Sequence, residues 1–359
     1  MVAMRPLLLA TDFRDSSQKA AAVAVKLAKQ FAVPVVTYHV LDQAPSWPAT
    51  SQDYQDQLKA YLTSKGVDTS DVQVGVGSPT EHVLRFAEET DPGLLLIGAG
   101  DKQRDGKLVV GPVTEAILSH TTQPTLAVNP FGPPVEFRTL LVAVDHSRTS
   151  RKALEDAARL ARAFGSKLIV LTVVPAVTWL EAVVETGQLT DAKLEHHARW
   201  VTEFEAFLAD VPLDGVTMEK VVRDGAPDEQ IAAAVKELGA DVLVMGATGR
   251  TGLAQVLMGS VTRRVLRNLP CSLLLVKDDA VFEDQLTADL EAVERATAAG
   301  QAALGGGDAA TAAGQFRRAL ALDPYHLPAL DGLVAAETKL GHRADHYAAR
   351  AARLRARVG

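Results

Sequence analysis

The chain alternates between short, largely apolar runs and longer segments in which apolar residues recur every three or four positions. From residue 139 onward the runs are TLLVAVD (139–145), KLIVLTVVP (167–175), VTMEKVVRDG (216–225), DVLVMG (241–246) and SLLLVK (272–277). Apolar runs this short predict strands buried on both faces. Between them, SRKALEDAARLARAFG (150–165) has helical spacing and a glycine stop, and PDEQIAAAVKELGA (227–240) opens on proline, a favoured first-turn residue. A polar helix is predicted from about Asp191 to Ala209, and another from about Gly259 to Asn268. Buried strands alternating with helices predict a doubly wound α/β fold, a parallel sheet covered on both faces.

The same pattern occurs earlier in the chain. LLLATDFRDSSQKAAAVAVKLA (7–28) aligns with LVAVDHSRTSRKALEDAARLA (141–161) at an offset of 133, which places Asp12 on Asp145 and Ser17 on Ser150. VGSPTEHVL (76–84) aligns with DGAPDEQIA (224–232) at an offset of 148, so the second copy carries a surplus near residues 177–200. The reading is two five-stranded α/β domains, 1–132 and 136–279, followed by a helical extension over 281–359.

Composition narrows the function classes. Hydrophobic residues make up 47% of the 359 and charged residues 23%, enough to build real cores. The net charge of −7 argues against nucleic-acid partners and anionic membrane surfaces, both of which need a basic face. The single cysteine, Cys271, excludes an internal disulfide framework and a cysteine-based zinc site. No apolar run reaches the ~20 residues of a membrane helix, and the N-terminal run is too short for a signal peptide. A cytoplasmic location is expected.

The candidate chemistry lies in a glycine-rich segment present twice. Residues 242–277 carry Gly246, Gly249, Gly259 and Ser260, between the fourth and fifth strands. Glycines there let a backbone approach a ligand closely, and a helix start offers free N–H groups and a positive dipole end to a phosphate. Ser260 and Thr262 add hydroxyls and Arg250 a cation, while Asp145 ends the first strand near the same place. The spacing is neither a Walker loop nor the dinucleotide fingerprint. A plain reading stands beside this one: glycines that only turn the chain, a serine that only caps, and aspartates that only start helices.

The pattern Gly246-x2-Gly249-x9-Gly259-Ser260 resembles the nucleotide motif of the universal stress protein family, in its ATP-binding branch, and the likeness extends over both copies. The resemblance implies a five-stranded parallel sheet and an adenine nucleotide ligand, ATP alone or with Mg2+. It implies that Gly246, Gly249, Gly259, Ser260, Val261 and Thr262 hold phosphates and ribose, and that Ala143, Asp145 and Val173 frame the adenine. It also implies pairing through last strands, either within the chain as a pseudo-dimer or between chains as a homo-oligomer. The first copy departs from the motif: Gly98 and Gly111 remain, but Asp101 replaces the middle glycine and Pro112 the serine. A carboxylate repels phosphate, and proline removes an N–H, so the first copy is expected to bind ATP poorly.

No nucleophile–base–orienter set stands out, and no catalytic or metal-binding residues are assigned. His39 and Cys271 read as packing residues, and His196 and His197, adjacent on a helix, as solvent-facing. In the extension, Gly300, Ala312, Phe316, Ala319 and Pro324 fall at tetratricopeptide spacings, with Ala296 in place of the pattern's tryptophan. Arg343, Arg350, Arg353, Arg355 and Arg357 read as a solvated face. The expected function is an ATP-responsive regulatory or binding module whose tail contacts a protein partner or a second copy. Two alternatives are a weak ATPase or nucleotide-using enzyme, and a structural adaptor with both sites empty.

Overall fold

A computed structural model describes residues 5–41, 51–64, 71–104, 107–175, 189–248, 258–277, 285–322, 326–342, 344, 347–348, 351–352 and 355. They fall in two compact units, one of residues 4–211 with 216–282 and the other centred on 283–359.

In the larger unit, the first copy runs β1 (Leu7–Thr11), α1 (Asp15–Phe31), β2 (Val35–Leu41), α2 (Ser51–Ser64), β3 (Val72–Val76), α3 (Pro79–Thr90) and β4 (Leu94–Gly98). It continues with β5 (Lys102–Arg104), β6 (Lys107–Val109), α4 (Pro112–His120) and β7 (Thr125–Val128). The second copy runs β8 (Thr139–Val144), α5 (Arg148–Phe164), β9 (Lys167–Val174), α6 (Leu189–Ala209), β10 (Thr217–Asp224) and α7 (Pro227–Glu237). It ends with β11 (Val242–Gly246), α8 (Ser260–Leu266) and β12 (Ser272–Val276).

The two expected sheets are continuous. One ten-stranded sheet has the order β10-β9-β8-β11-β12-β7-β4-β1-β2-β3. Within each copy neighbours are parallel, but β12 and β7 meet antiparallel, with Leu274 opposite Leu126. This is the last-strand pairing that the resemblance implied, made inside one chain. In each copy the winding reverses between the first and fourth strands, at β1/β4 and at β8/β11. The β5–β6 hairpin lies apart from this sheet and was not expected. The Asp105-Gly106 dipeptide is the sequence signal that could have disclosed it.

Burial follows the apolar runs. Leu7, Leu8, Leu9, Leu95, Leu141, Leu243 and Leu273 are fully buried. A core shared by both copies packs α3, α4, α7 and α8 on one face through Val83, Ile117, Ile231 and Val265. On the other face, Phe31 of α1 and Phe164 of α5 meet edge to face at 6.0 Å. The linker is fastened between the copies. Phe137, at φ 54°, stacks on Phe164 at 4.5 Å, and Asp241 Oδ2 accepts the N–H groups of Glu136 and Arg138 at 3.1 and 3.0 Å. Burial pushes the Asp241 carboxyl above its usual range in spite of those donors.

The junction of the copies is locked by unlike groups at equivalent positions. Asn129 after β7 donates to Leu269 O at 3.0 Å, and Lys277 after β12 donates to Leu118 O at 2.9 Å. Cys271, entering β12, is fully buried, and burial pushes its thiol well up, as expected of a packing residue.

In the smaller unit, α9 (Gln285–Gly305), α10 (Ala309–Leu322) and α11 (Leu327–Lys339) pack around Phe316. A Cβ added at Gly300 or Gly332 would strike the Phe316 ring, so both glycines seat it. Ala296, Ala312 and Ala319 are buried with it, and Pro324 lies outside the described residues. Arg355 is exposed, as the solvated-face reading held, and it grips both oxygens of Asp331 at 2.6 Å. The other four tail arginines lie outside the described residues.

Burial lowers the Lys277 pKa from 10.5 to about 8. The unfolded chain therefore holds this proton to higher pH than the native state, and stability rises as pH climbs from about 8 toward 10.5. Urea midpoints measured across that window should rise for the wild type relative to Lys277→Met. Parallel profiles would show that the ammonium is not buried at the junction.

Candidate functional site

The site is assembled where the winding of the second copy reverses. β8 and β11 are neighbours with Met245 opposite Ala143, so Asp145 and Gly246 emerge side by side at the carboxyl ends of the strands. This crevice is where open α/β sheets receive ligands. Val173, buried, lies at the corresponding end of β9. Ala143 and Asp145 are half-buried. Ser147 opens α5 as its N-cap, its Oγ accepting the Ser150 N–H at 3.2 Å, and Asp145 Oδ1 accepts the Ser147 N–H at 3.1 Å. The aspartate thus does support the helix start, as the plain reading held, while its position still borders the crevice.

The glycine segment is pinned at both ends. Gly259 N–H donates to Ala247 O at 2.7 Å, and the Thr149 hydroxyl donates to Thr248 O at 2.5 Å. Gly259 is the N-cap of α8 without a side-chain cap, and Ser260, its first residue, is exposed. Val261 is half-buried. Gly249 and Arg250 lie outside the described residues.

Two of these residues also have internal partners. Gly246 is glycine because of the protein itself: a Cβ there would lie 2.8 Å from the Thr149 carbonyl carbon and 3.0 Å from Ser150 N. Thr262 is also occupied internally. It is buried, and its Oγ1 donates to Gly246 O at 3.3 Å, so it braces the strand end. The first copy repeats both arrangements. A Cβ on Gly98 would lie 2.8 Å from the Ser16 carbonyl carbon, and Thr114 Oγ1 donates to Gly98 O at 2.8 Å.

His146, directly after Asp145, was not singled out by the sequence pattern. It holds φ 65°, and its ring sits 4.9 Å from Trp200, 5.5 Å from Phe207 and 6.0 Å from Phe204, all on α6. Trp200 Nε1 donates to Thr172 Oγ1 at 2.9 Å, and His146 Nε2 lies 3.4 Å from the same oxygen. The nominally polar α6 therefore buries an aromatic stripe against the rim of the site. The first copy reverses the pair: Phe13, also at φ 65°, meets His39 edge to face at 4.7 Å, and His39 Nδ1 is 2.7 Å from Thr11 O. His39 is packed, as expected. His197 faces solvent, as expected, its Nδ1 lying 2.9 Å from Asp224 Oδ1, whereas His196 departs from expectation and is half-buried beside Trp200.

Among the described residues no His, Cys, Asp or Glu group is arranged to hold a metal ion, and no helix is long and apolar enough to cross a membrane.

Comparison with known proteins places this architecture. The family model described as the universal stress protein family matches residues 4–129 and 136–277. The universal stress protein Sll1388 of Synechocystis sp. is 30% identical over 148 residues, 38% of this chain and 96% of that protein. YxiE of Bacillus subtilis is 30% identical over 152 residues, 39% of this chain and 99% of its own length. Among solved structures, a universal stress protein from Archaeoglobus fulgidus superposes with a TM-score of 0.53 at 18% identity, covering 76% of this chain and 98% of that one. A putative universal stress protein from Pseudomonas aeruginosa gives 0.55 at 19% identity, covering 77% and 95%. These two likenesses concern the fold. With the family model matching twice in succession along a single continuous sheet, the chain belongs to the universal stress protein family as a tandem member.

Proposed function

We propose that this chain is an ATP-responsive regulatory module that holds the nucleotide in its second copy. The observation that carries the reading is convergence: the ends of β8 and β11 and both anchors of the glycine segment meet at one reversal of the sheet. The complete glycine pattern, intact only in this copy, supplies the preference for an adenine nucleotide. In this reading Ala143, Asp145 and Val173 frame the base. The backbone of Gly259, Ser260 and Val261, the exposed Ser260 hydroxyl, Gly249 and Arg250 receive ribose and phosphates. Gly246 and Thr262 position the others and make no phosphate contact of their own. Mg2+, when present, rides on the phosphates, whose negative charge it offsets.

ATP bound there favours one arrangement of the segment between Gly246 and Gly259, and that arrangement sets the surface a partner meets. The helical extension supplies an assembly surface, toward a protein partner or a second copy. Its alanine spacing around Phe316 supports a tetratricopeptide-like unit, and fewer than three such repeats need a neighbour to cover them.

Calorimetric titration of the full chain with ATP should show saturable binding, and heat-denatured protein purified without added nucleotide should release adenine nucleotide. Gly249→Asp, which copies the first copy's Asp101, should weaken binding at least about tenfold through charge repulsion. Unchanged affinity in that variant, or no binding in the wild type, contradicts the assignment. Gly246→Ala is a poor probe because its methyl group would strike α5 whether or not nucleotide binds. Deleting 281–359 should lower the assembled mass in light scattering while ATP affinity holds. An unchanged assembly state removes the role given to the extension.

A further inference from the structure

The first copy does more than lose the phosphate motif. Its Asp101 Oδ1 accepts the backbone N–H of Ser16 at 2.9 Å, a bond between residues 85 apart in sequence. Ser16 is the second residue of α1, whose N-cap is Arg14 and has no side-chain cap of its own. The first turn of a helix has N–H groups without intrahelical partners, and a carboxylate there satisfies both a donor and the helix dipole. In the second copy the equivalent helix, α5, is capped locally by Ser147, the counterpart of Arg14. The counterpart of Asp101 there is Gly249. The copies thus differ by a matched pair of residues, Arg14 with Asp101 in one and Ser147 with Gly249 in the other.

We infer that Asp101 is a tethered internal anion. It caps α1 from across the β1/β4 reversal and, by standing there, shuts the first copy to polyphosphate. This rests on the proposal that the second copy binds ATP only in what is excluded; the cap stands without it. Three features hold the carboxylate in place. Gly98, just upstream, is pressed against Ser16, so β4 and the start of α1 keep their separation. Gly100, at φ 140°, sends the chain outward, and a Cβ there would lie 2.6 Å from Val109 O. The antiparallel β5–β6 pairing, Gln103 opposite Leu108, then returns the chain to Gly111, with Leu108 buried as its apolar anchor. The hairpin aligns in sequence with residues 250–257 of the second copy, and Asp101 is the residue at its base that accepts from α1. Gly111 itself is under no such constraint, since an added Cβ meets nothing closer than 3.8 Å.

The test uses the full chain and four variants: Asp101→Asn, Asp101→Ala, Arg14→Ser and the double variant Asp101→Ala/Arg14→Ser. An N-cap exchanged for alanine raises the unfolding equilibrium constant about fivefold. Asp101→Ala should show a loss of that size in urea unfolding, and Asp101→Asn, which keeps an acceptor oxygen, should retain most of the stability. Arg14→Ser, which restores the local cap of the second copy, should recover the loss in the double variant and change the wild type little. Asp101→Ala as stable as wild type, or no recovery by serine at 14, overturns the cap. In ATP calorimetry the double variant should bind more than one equivalent per chain where the wild type binds one. A value fixed at one overturns the exclusion. If no variant binds ATP, the functional assignment above and the exclusion fail together, while the unfolding cycle still decides the cap.

Discussion

Everything at the two candidate sites hangs on one close approach, that of the last residue of a copy's fourth strand to the first turn of its first helix. At Gly246 and at Gly98 the neighbouring backbone leaves no room for a Cβ. A threonine hydroxyl from the following helix then closes on the strand's last carbonyl, Thr262 on Gly246 and Thr114 on Gly98. Without that contact, the first and fourth strands could not end level beneath the start of α1 or α5, and the crevice at the reversal would lose its floor. The contact is present in both copies, whatever has become of the motif above it, because the packing of the sheet requires it.

This separates two kinds of glycine that look alike in the sequence. Gly98 and Gly246 answer to packing and survive in both copies. Gly111 and Gly259 answer to the helix start above them, and in the first copy no neighbour demands glycine at 111. The erosion of the first copy falls at the remaining positions, where Gly249 has Asp101 as its counterpart and Ser260 has Pro112. The carboxylate that spoils the pattern is put to structural use. In the proposed reading the two copies divide the work, the second receiving nucleotide and the first capping its own helix, and the β7–β12 junction binds them into one sheet with unlike locks, Asn129 and Lys277.

Much of this was legible in the sequence. The repeat, the alternation of strands with helices and the burial of runs such as LLLAT and VLVMG follow from periodicity, since a parallel sheet covered on both faces needs apolar residues at successive positions. The reversal as the place for a ligand followed from the same order. What the periodicity does not carry are contacts between residues far apart. The bond from Asp101 to Ser16 spans 85 residues, and charge repulsion alone was the evident reading of that aspartate. The internal engagement of Thr262 depends on where the preceding strand stops. The aromatic stripe on α6 was masked by its charged neighbours, so nothing in the sequence singled out His146, which Trp200, Phe204 and Phe207 surround.

The proposed division is that only the second copy holds ATP, although Ala143, Asp145 and Val173 have identical counterparts in Ala10, Asp12 and Val40. Photo-crosslinking of the intact chain with 8-azido-ATP, followed by peptide mapping, reads this directly. Label is expected on peptides carrying the ends of β8 and β9, around Ala143 to Asp145 and Val173, with competition by unlabelled ATP. Competable label on the equivalent first-copy peptides, around Ala10 to Asp12 and Val40, or no competable label at all, would contradict it.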